Sequence, residues 1–468
     1  MTASEPLTPE SAAPPDPHRW RTLALLGIAQ LMLIVDVTVV AIALPHIGAD
    51  LGMDRAGITW VASLYALVFG GLMLLGGKAA DVFGPRRLVI AGLTVFLGAS
   101  LLAGLAPGAE VLLLARALQG VGAAAMSPAA LSVIARIFPG EELPKALGIW
   151  SSLGGAGAAL GVLVGGLLTS GPGWPWVFFV NVPVGLVLLI WLAVSLKPLP
   201  GSGGHLDVTG AILVTVSTTG IVFGLVSAGD RGWLDWYTLI PIAVGLVGYA
   251  AFARWIRRTA EPLIQPDMLR RPAIRNGLAL IFVATALMIS VFFLGSFSLQ
   301  NLHRFSALET GLSFLPVAIG TILGSNIAGR LATRWGVRAI AVLGLLIAGG
   351  GLVAAATIFS MTALIIATSV AGFGVGAVFV AASVSMFSAI QPQEAGVASG
   401  ALSTFHEFGA ATGVSAVSSV AAAAVIAPGF AAFGQGYWFA AAVAVVAAAV
   451  GFLVLARPRR PEPAAAGA

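Results

Sequence analysis

Fourteen separate runs of about twenty predominantly apolar residues divide this chain, and no other feature restricts its fold as strongly. They lie near 22–45, 59–77, 88–107, 110–135, 146–169, 176–196, 208–228, 237–256, 277–301, 311–329, 339–359, 362–388, 396–427 and 435–456. A helix needs about 20 such residues to cross the hydrocarbon of a bilayer. Inside that hydrocarbon every backbone N–H and C=O must find a partner in the protein, so a run of this length reads as helix. The charged fraction agrees: 9% of residues, against about 25% in soluble domains. The expected fold class is an all-α polytopic membrane protein. Residues 1–20 are polar and proline-rich with no apolar signal region, so they read as a disordered tail without a cleaved leader, and 458–468 as a second tail. With no cysteine, disulfides and thiolate metal sites are excluded.

Lys and Arg concentrate in cytoplasmic loops of membrane proteins. With an even number of crossings and both termini placed in the cytoplasm, 20 of the 24 basic residues fall on that side. Arg55, Arg231 and Arg304 fall outside, and Arg116 lies within a helix. The expected location is a plasma membrane, the bacterial inner membrane, and nothing points to nucleic acid.

An internal repeat divides the chain. "GKAADVFGPR" (77–86) and "GRLATRWGVR" (329–338) share Gly77/Gly329, Ala80/Ala332, Gly84/Gly336 and Arg86/Arg338, with a basic and an aromatic position between. Repeats of this kind build many transporters. The copies follow runs 2 and 10, two more than a duplicated six-helix half allows. Two helices are therefore expected as an insertion, giving a bundle over 21–198, an inserted pair over 199–260 and a second bundle over 261–457.

Two acids, Asp36 in "LMLIVDVTVVAIALP" and Glu407 in "ALSTFHEFGAATGVS", sit deep in apolar runs. A charge at mid-membrane costs about 2.5–3.5 kcal/mol on insertion scales, which makes each a functional candidate. A carboxyl in a low-dielectric cavity resists ionisation and can bind protons reversibly. The alternative is that each is neutral or paired and fixes helix packing. Ser399, Ser403, Glu407, Ala411 and Ser415 recur every four residues and share one helix face. His406 points about 100° away from Glu407, as a packing residue or a relay member. Arg116 is the lone basic residue inside a helix and must find a partner, Gln119 being one. No convergent nucleophile, base or metal-ligand cluster suggests an enzyme or a cofactor.

The chain resembles the major facilitator superfamily, and within it the fourteen-helix drug:proton antiporters. "GKAADVFGPRR" resembles the family's loop between helices 2 and 3, "RALQGVGAA" its helix 4 motif and "IVDVTVVAIALP" the acidic helix 1 motif. "GAGAALGVLVGG" resembles the glycine-rich antiporter motif of helix 5; "WPWVFFVNVPVG" and "HLDVTGAIL" also match that branch. Val162 follows Gly161 where a proline is usual, Pro175 stands where an arginine is usual, and Ser63 where some exporters of multivalent cations carry an acid.

The resemblance implies two six-helix bundles plus two inserted helices, and proton coupling through Asp36, Glu407 and Arg116. It implies a conformational latch in the loop of Gly77, Lys78, Asp81, Gly84, Arg86 and Arg87, where Asp81 accepts charge-assisted hydrogen bonds from an arginine or a helix N-terminus. Plain topogenic charge is the other reading of that loop. Thr333 replaces the aspartate in the second copy. Gly157, Gly161, Gly165 and Gly166, with Gly154, form a small-residue face for close helix approach. Tyr65 and Phe69, and Met288, Phe292, Ser296 and Gln300, recur at four-residue spacing and are candidates for a cavity that takes lipophilic substrates; helix packing is the alternative. The expected function is a monomeric antiporter that exports lipophilic, cationic or neutral molecules against protons. An exporter of one endogenous antibiotic, a lipid translocator and a non-transporting scaffold or sensor are the alternatives.

Overall fold

The computed structural model describes residues 17–455, apart from Asp54, Pro139, Glu141, Glu261, 302–303, Ser306, 358–359 and 421–429. The two expected tails fall almost wholly outside these residues. Arg19 and Trp20 already belong to the first helix. The helices are α1 (Arg19–Asp50), α2 (Arg55–Phe83), α3 (Pro85–Gly104), α4 (Ala109–Ile137), α5 (Leu143–Ser170), the short α6 (Trp176–Phe179), α7 (Asn181–Ser195), α8 (Val208–Arg231) and α9 (Trp236–Trp255). They continue with the short α10 (Pro266–Arg270), α11 (Pro272–Asn301), α12 (Ala307–Ser313), α13 (Leu315–Thr357), α14 (Met361–Phe387), α15 (Ala395–Val420) and α16 (Phe430–Val454).

Eleven described stretches are long and apolar enough to cross a membrane. One of them, Glu309–Thr357, runs to 49 residues and is broken at Gly336, whose φ of 75° and ψ of 161° are not helical. It is two crossings joined at a corner. With 28 and 26 residues, α5 and α15 also have the length to cross, and α6 continues into α7 as one crossing. The described helices are consistent with fourteen crossings.

The repeated segment is tighter than the loop expected from sequence. Helix α2 runs through Lys78 and Asp81 to Phe83, and α3 begins at Pro85, so only Gly84 lies between them. Its φ is 92°, which a residue with a Cβ rarely adopts, and a Cβ there would lie 2.5 Å from the Leu199 carbonyl. Gly336 makes the same left-handed corner in the second copy. The α2 carbonyls freed at the corner are taken up by the linker between α7 and α8, since Ser202 N–H donates to the Asp81 carbonyl at 2.7 Å and Gly203 N–H to that of Val82 at 3.3 Å.

Packing sorts the helices into two groups. In the first, α1 lies on α5, and α4 receives α2 and α3; in the second, α13 lies on α14 and α16, and α11 on α14 and α15. The groups meet where α2 crosses α15 and where α5 meets α13 and α14, while α8 touches both α2 and α15. Glycine brings these seams together at the face that carries the basic corners. A Cβ on Gly77 would stand 2.0 Å from the Gly396 carbonyl, and one on Gly329 2.7 Å from the Pro144 carbonyl. At that face the halves meet backbone to backbone, as small-residue contacts allow.

Candidate functional site

Asp36 lies in the middle of α1 with 1% of its surface exposed. Two helices, α4 and α7, supply its three partners. Arg116 of α4 donates from Nη1 to Oδ2 at 2.6 Å. Gln119, one turn along the same helix, donates from Nε2 to Oδ1 at 3.1 Å, and Asn181, the first residue of α7, donates from Nδ2 to the same oxygen at 2.8 Å. Arg116 has further partners: its Nε donates to the Val61 carbonyl at 3.0 Å, its Nη1 also to Gln119 Oε1 at 2.8 Å, and its guanidinium sits 4.5 Å from the centre of the Tyr65 ring. Gln119 donates on to Ser100 of α3 at 2.8 Å. A buried charge is tolerated only when paired and hydrogen-bonded, and this cluster meets both conditions by drawing on α1, α2, α3, α4 and α7. Pairing Arg116 with Gln119 and pairing it with Asp36 are thus parts of one network.

Glycine on α5 holds α1 in place. A Cβ on Gly157 would fall 2.5 Å from Ile34 Cγ2, and one on Gly161 2.5 Å from Thr38 Cβ. These neighbours flank Asp36 on either side in sequence, so the close approach fixes the segment that carries the acid. Gly165 is buried, Gly154 faces open space, and the surroundings of Gly166 lie outside the described residues.

Glu407 belongs to the seam between the groups. A Cβ on Gly70 of α2 would lie 3.3 Å from its Cγ, and its side chain keeps 19% exposure. His406 does not point clear of it: Nδ1 stands 3.5 Å from Glu407 Oε1, with the imidazole 6.1 Å from the Phe379 ring. Side-chain length closes the angle that helical geometry opens between neighbouring residues.

At the basic face, Asp81 accepts from three donors, two of them across the seam. Its Oδ1 accepts from Arg136 Nη2 at 2.8 Å and from the Gly396 N–H at 2.8 Å, and its Oδ2 from the Val397 N–H at 2.8 Å. Gly396 and Val397 begin α15, so the carboxylate caps that helix at its positive end. The other basic residues of the corner are placed differently. Arg86 donates to the Leu196 and Ala193 carbonyls, both at 2.7 Å, and so closes the C-terminus of α7 within its own half. Lys78 is half-buried, and Arg87 and Thr333 are exposed. Arg136, which sequence reasoning counted only as topogenic charge, is the arginine that reaches Asp81.

The proposed substrate contacts fare unevenly. Tyr65 is 1% exposed and covers Arg116, so it walls the Asp36 cluster instead of lining open space. Phe69 is half-buried with its ring 5.5 Å from that of Tyr65. Met288 is buried in the core of the second group, and Phe292 packs against that core with its ring 4.8 Å from Phe314. Ser296 is half-buried on α11, and the side chain of Gln300 lies outside the described residues. A shared helix stripe therefore delivers packing at Met288 and Phe292. Among the described residues no group of three or more metal-ligating side chains occurs.

The sequence profile of the Major Facilitator Superfamily matches residues 26–414. The chain belongs to the major facilitator superfamily. It is a transporter and not an enzyme. Among its relatives, the puromycin resistance protein pur8 of Streptomyces alboniger is 38% identical over 433 residues, covering 89% of this chain and 85% of that protein. The cephamycin export protein CmcT of Amycolatopsis lactamdurans is 32% identical, covering 85% and 84%. The tetracenomycin C resistance and export protein of Streptomyces glaucescens is 31% identical, covering 87% and 76%. Among solved structures, the human organic anion transporter MFSD10 superposes with a TM-score of 0.69 at 14% identity, over 93% of this chain and 100% of that one. The proton:xylose symporter XylE superposes at 0.66 and 14% identity, over 94% and 96%. Identity that low shows the shared fold alone.

Proposed function

We propose that this facilitator is a proton-coupled exporter of lipophilic, cationic or neutral small molecules, with its basic face and both termini in the cytoplasm. The observation that carries the reading is the sealed Asp36–Arg116 pair at 2.6 Å in the membrane. Its three described side-chain partners are all donors, a set that suits a carboxylate. Adding a proton to it strips Arg116 of its counter-ion and obliges the surrounding helices to repack, so proton occupancy and helix arrangement become one variable. Glu407, partly exposed at the seam, is the second proton site and the one nearer to water. Asp81 and Arg136 hold the cytoplasmic face shut by capping α15, and the face parts when that cap lets go. The Gly157 and Gly161 contact keeps α1 against α5 throughout the cycle. The membrane potential supplies about 2.3 kcal/mol per charge per 100 mV when net charge moves.

A natural antibiotic is the favoured cargo, because several relatives are named for single compounds, among them puromycin, cephamycin and tetracenomycin C. A dedicated exporter differs from a multidrug one in the breadth of its cargo. The test is purified protein in liposomes under an imposed pH gradient, offered puromycin, lincomycin and an unrelated lipophilic dye cation. Transport of the cargo coupled to proton flux, lost in Asp36→Asn and in Glu407→Gln, is expected. Failure to move protons and every compound offered, or normal exchange by Asp36→Asn, would defeat the reading. Export of one antibiotic alone selects the dedicated form.

A further inference from the structure

The side-chain amide of Asn181 enters the reading above only as one donor among three, yet it is 3% exposed and aimed at the acid on which that reading depends. An arginine has no acceptor atom, whereas the primary amide of Asn or Gln carries a donor end and an acceptor end. Arg116 can therefore donate to Asp36 but cannot accept the O–H of its protonated form. Gln119 is fixed in its orientation, because its Oε1 receives Arg116 Nη1 at 2.8 Å while its Nε2 donates to Ser100 at 2.8 Å and to Asp36. Asn181 makes one side-chain hydrogen bond among the described residues, to Asp36 Oδ1 at 2.8 Å. A half-turn of its amide breaks nothing else there.

Resting on Asp36 being a proton site, we propose that Asn181 is the positioning residue that serves both of its protonation states, donating through Nδ2 to the carboxylate and turning to accept through Oδ1 once a proton occupies Asp36 Oδ1. A protonated carboxyl carries an O–H that needs an acceptor, and a buried donor left without one is costly. The turned amide supplies it. The amide stands where α6 gives way to α7, with Gly185 further along α7 packed against Leu97 of α3. Arg116 and Tyr65 are the charged and titratable groups from α4 and α2 at this cluster; α3 and α7 contribute the uncharged Ser100 and Asn181, and Glu407 of α15 stands beyond α2.

The test is the pH profile of proton-driven puromycin export in proteoliposomes, for wild type, Asn181→Leu, Asn181→Ala, Asn181→Ser and Asp36→Asn, normalised to protein in the membrane. A hydrogen bond to the ionised acid is about twice as strong as one to the neutral acid. Losing the amide therefore moves the half-maximal pH of export upward in the Leu and Ala variants, by about one unit, a tenfold change in proton affinity. Drug KM should stay within twofold. Asn181→Ser, whose hydroxyl can also donate or accept, should restore the wild-type midpoint. Unshifted midpoints in both Leu and Ala variants, with Asp36→Asn inactive, would overturn the role of Asn181 and leave Asp36 standing. Normal exchange by Asp36→Asn would overturn the underlying reading instead. The Ala variant decides the matter if Leu does not fold.

Discussion

Cutting away the Asp81 carboxylate tests whether the basic face is held shut by chemistry or merely by shape. Of the three hydrogen bonds it accepts, only those from Gly396 and Val397 cross between the halves; Arg136 sits on α4 and travels with Asp81. A hydrogen bond to a charged group contributes about 1.5–3 kcal/mol, and a partly buried charge at a helix terminus up to about 2 kcal/mol. Water recovers part of both when the face opens. The net hold across the seam is then about 3 kcal/mol, roughly 150-fold in the ratio of closed to open molecules. The chain has no cysteine, so spin labels can be attached uniquely at Arg87→Cys and Gln391→Cys, both exposed and on opposite sides of the seam. Pulsed electron resonance should show a single short distance in the parent. In Asp81→Ala the longer distance should dominate, with Asp81→Asn following because its amide turns N–H groups toward donors. Identical distributions in parent and Asp81→Ala, at both high and low pH, would refute the argument.

Three further outcomes follow from the geometry. Arg116→Leu strands Asp36 and should cost about 3–5 kcal/mol, read as a lower Tm in detergent, whereas adding Asp36→Asn should recover much of the loss; equal Tm values for single and double variants would contradict this. Gly161→Ala drives a Cβ into Thr38, 2.5 Å away, while Gly154→Ala meets nothing within 4 Å. The first should lose about 1–3 kcal/mol by overpacking and the second little, and equal melting of the two would show that α5 does not press on α1. Arg19 grips both oxygens of Glu142, at 2.6 and 2.9 Å, and holds that carboxyl below the ordinary glutamate value of 4.5. A depressed carboxylate adds stability that is present above its unfolded pKa and vanishes as pH falls through the folded one. The small stability gap between parent and Arg19→Ala should thus be full above pH 4.5 and close below it, followed through Trp20, whose ring lies 4.8 Å from Phe138; a gap constant with pH would be the contrary result.

The membrane setting and the repeat were legible because both are written in local spacing: run length sets the crossings, and the shared glycines at 84 and 336 announced a corner whose left-handed backbone only glycine takes easily. Asp36 and Arg116 were legible for a different reason, the expense of a charge in hydrocarbon. That same rule applied to uncharged polar residues would have singled out Asn181, an amide in the apolar stretch "VFFVNVPVG". What spacing could not supply was partnership over distance. Asn181 is 145 residues from Asp36, and Arg136 looked like any other loop-end arginine until the fold set it beside Asp81. The stripe of Met288 and Phe292 left its surroundings open because core, lipid and cavity all accept apolar side chains, so four-residue recurrence names a face without saying what it meets.

The hairpin of α8 and α9 leaves the molecule lopsided in its bilayer. Thr219 of α8 crowds Gly71 of α2, and Trp233, in the hairpin turn, donates to Ser419 of α15 at 2.7 Å, so the pair is stitched to both helix groups along one seam. The other seam, α5 against α13 and α14, carries no such cover among the described helices. If the proposed export of lipophilic cargo holds, a molecule dissolved in the acyl chains would meet a covered flank and a bare one, and its sideways entry is expected on the bare side.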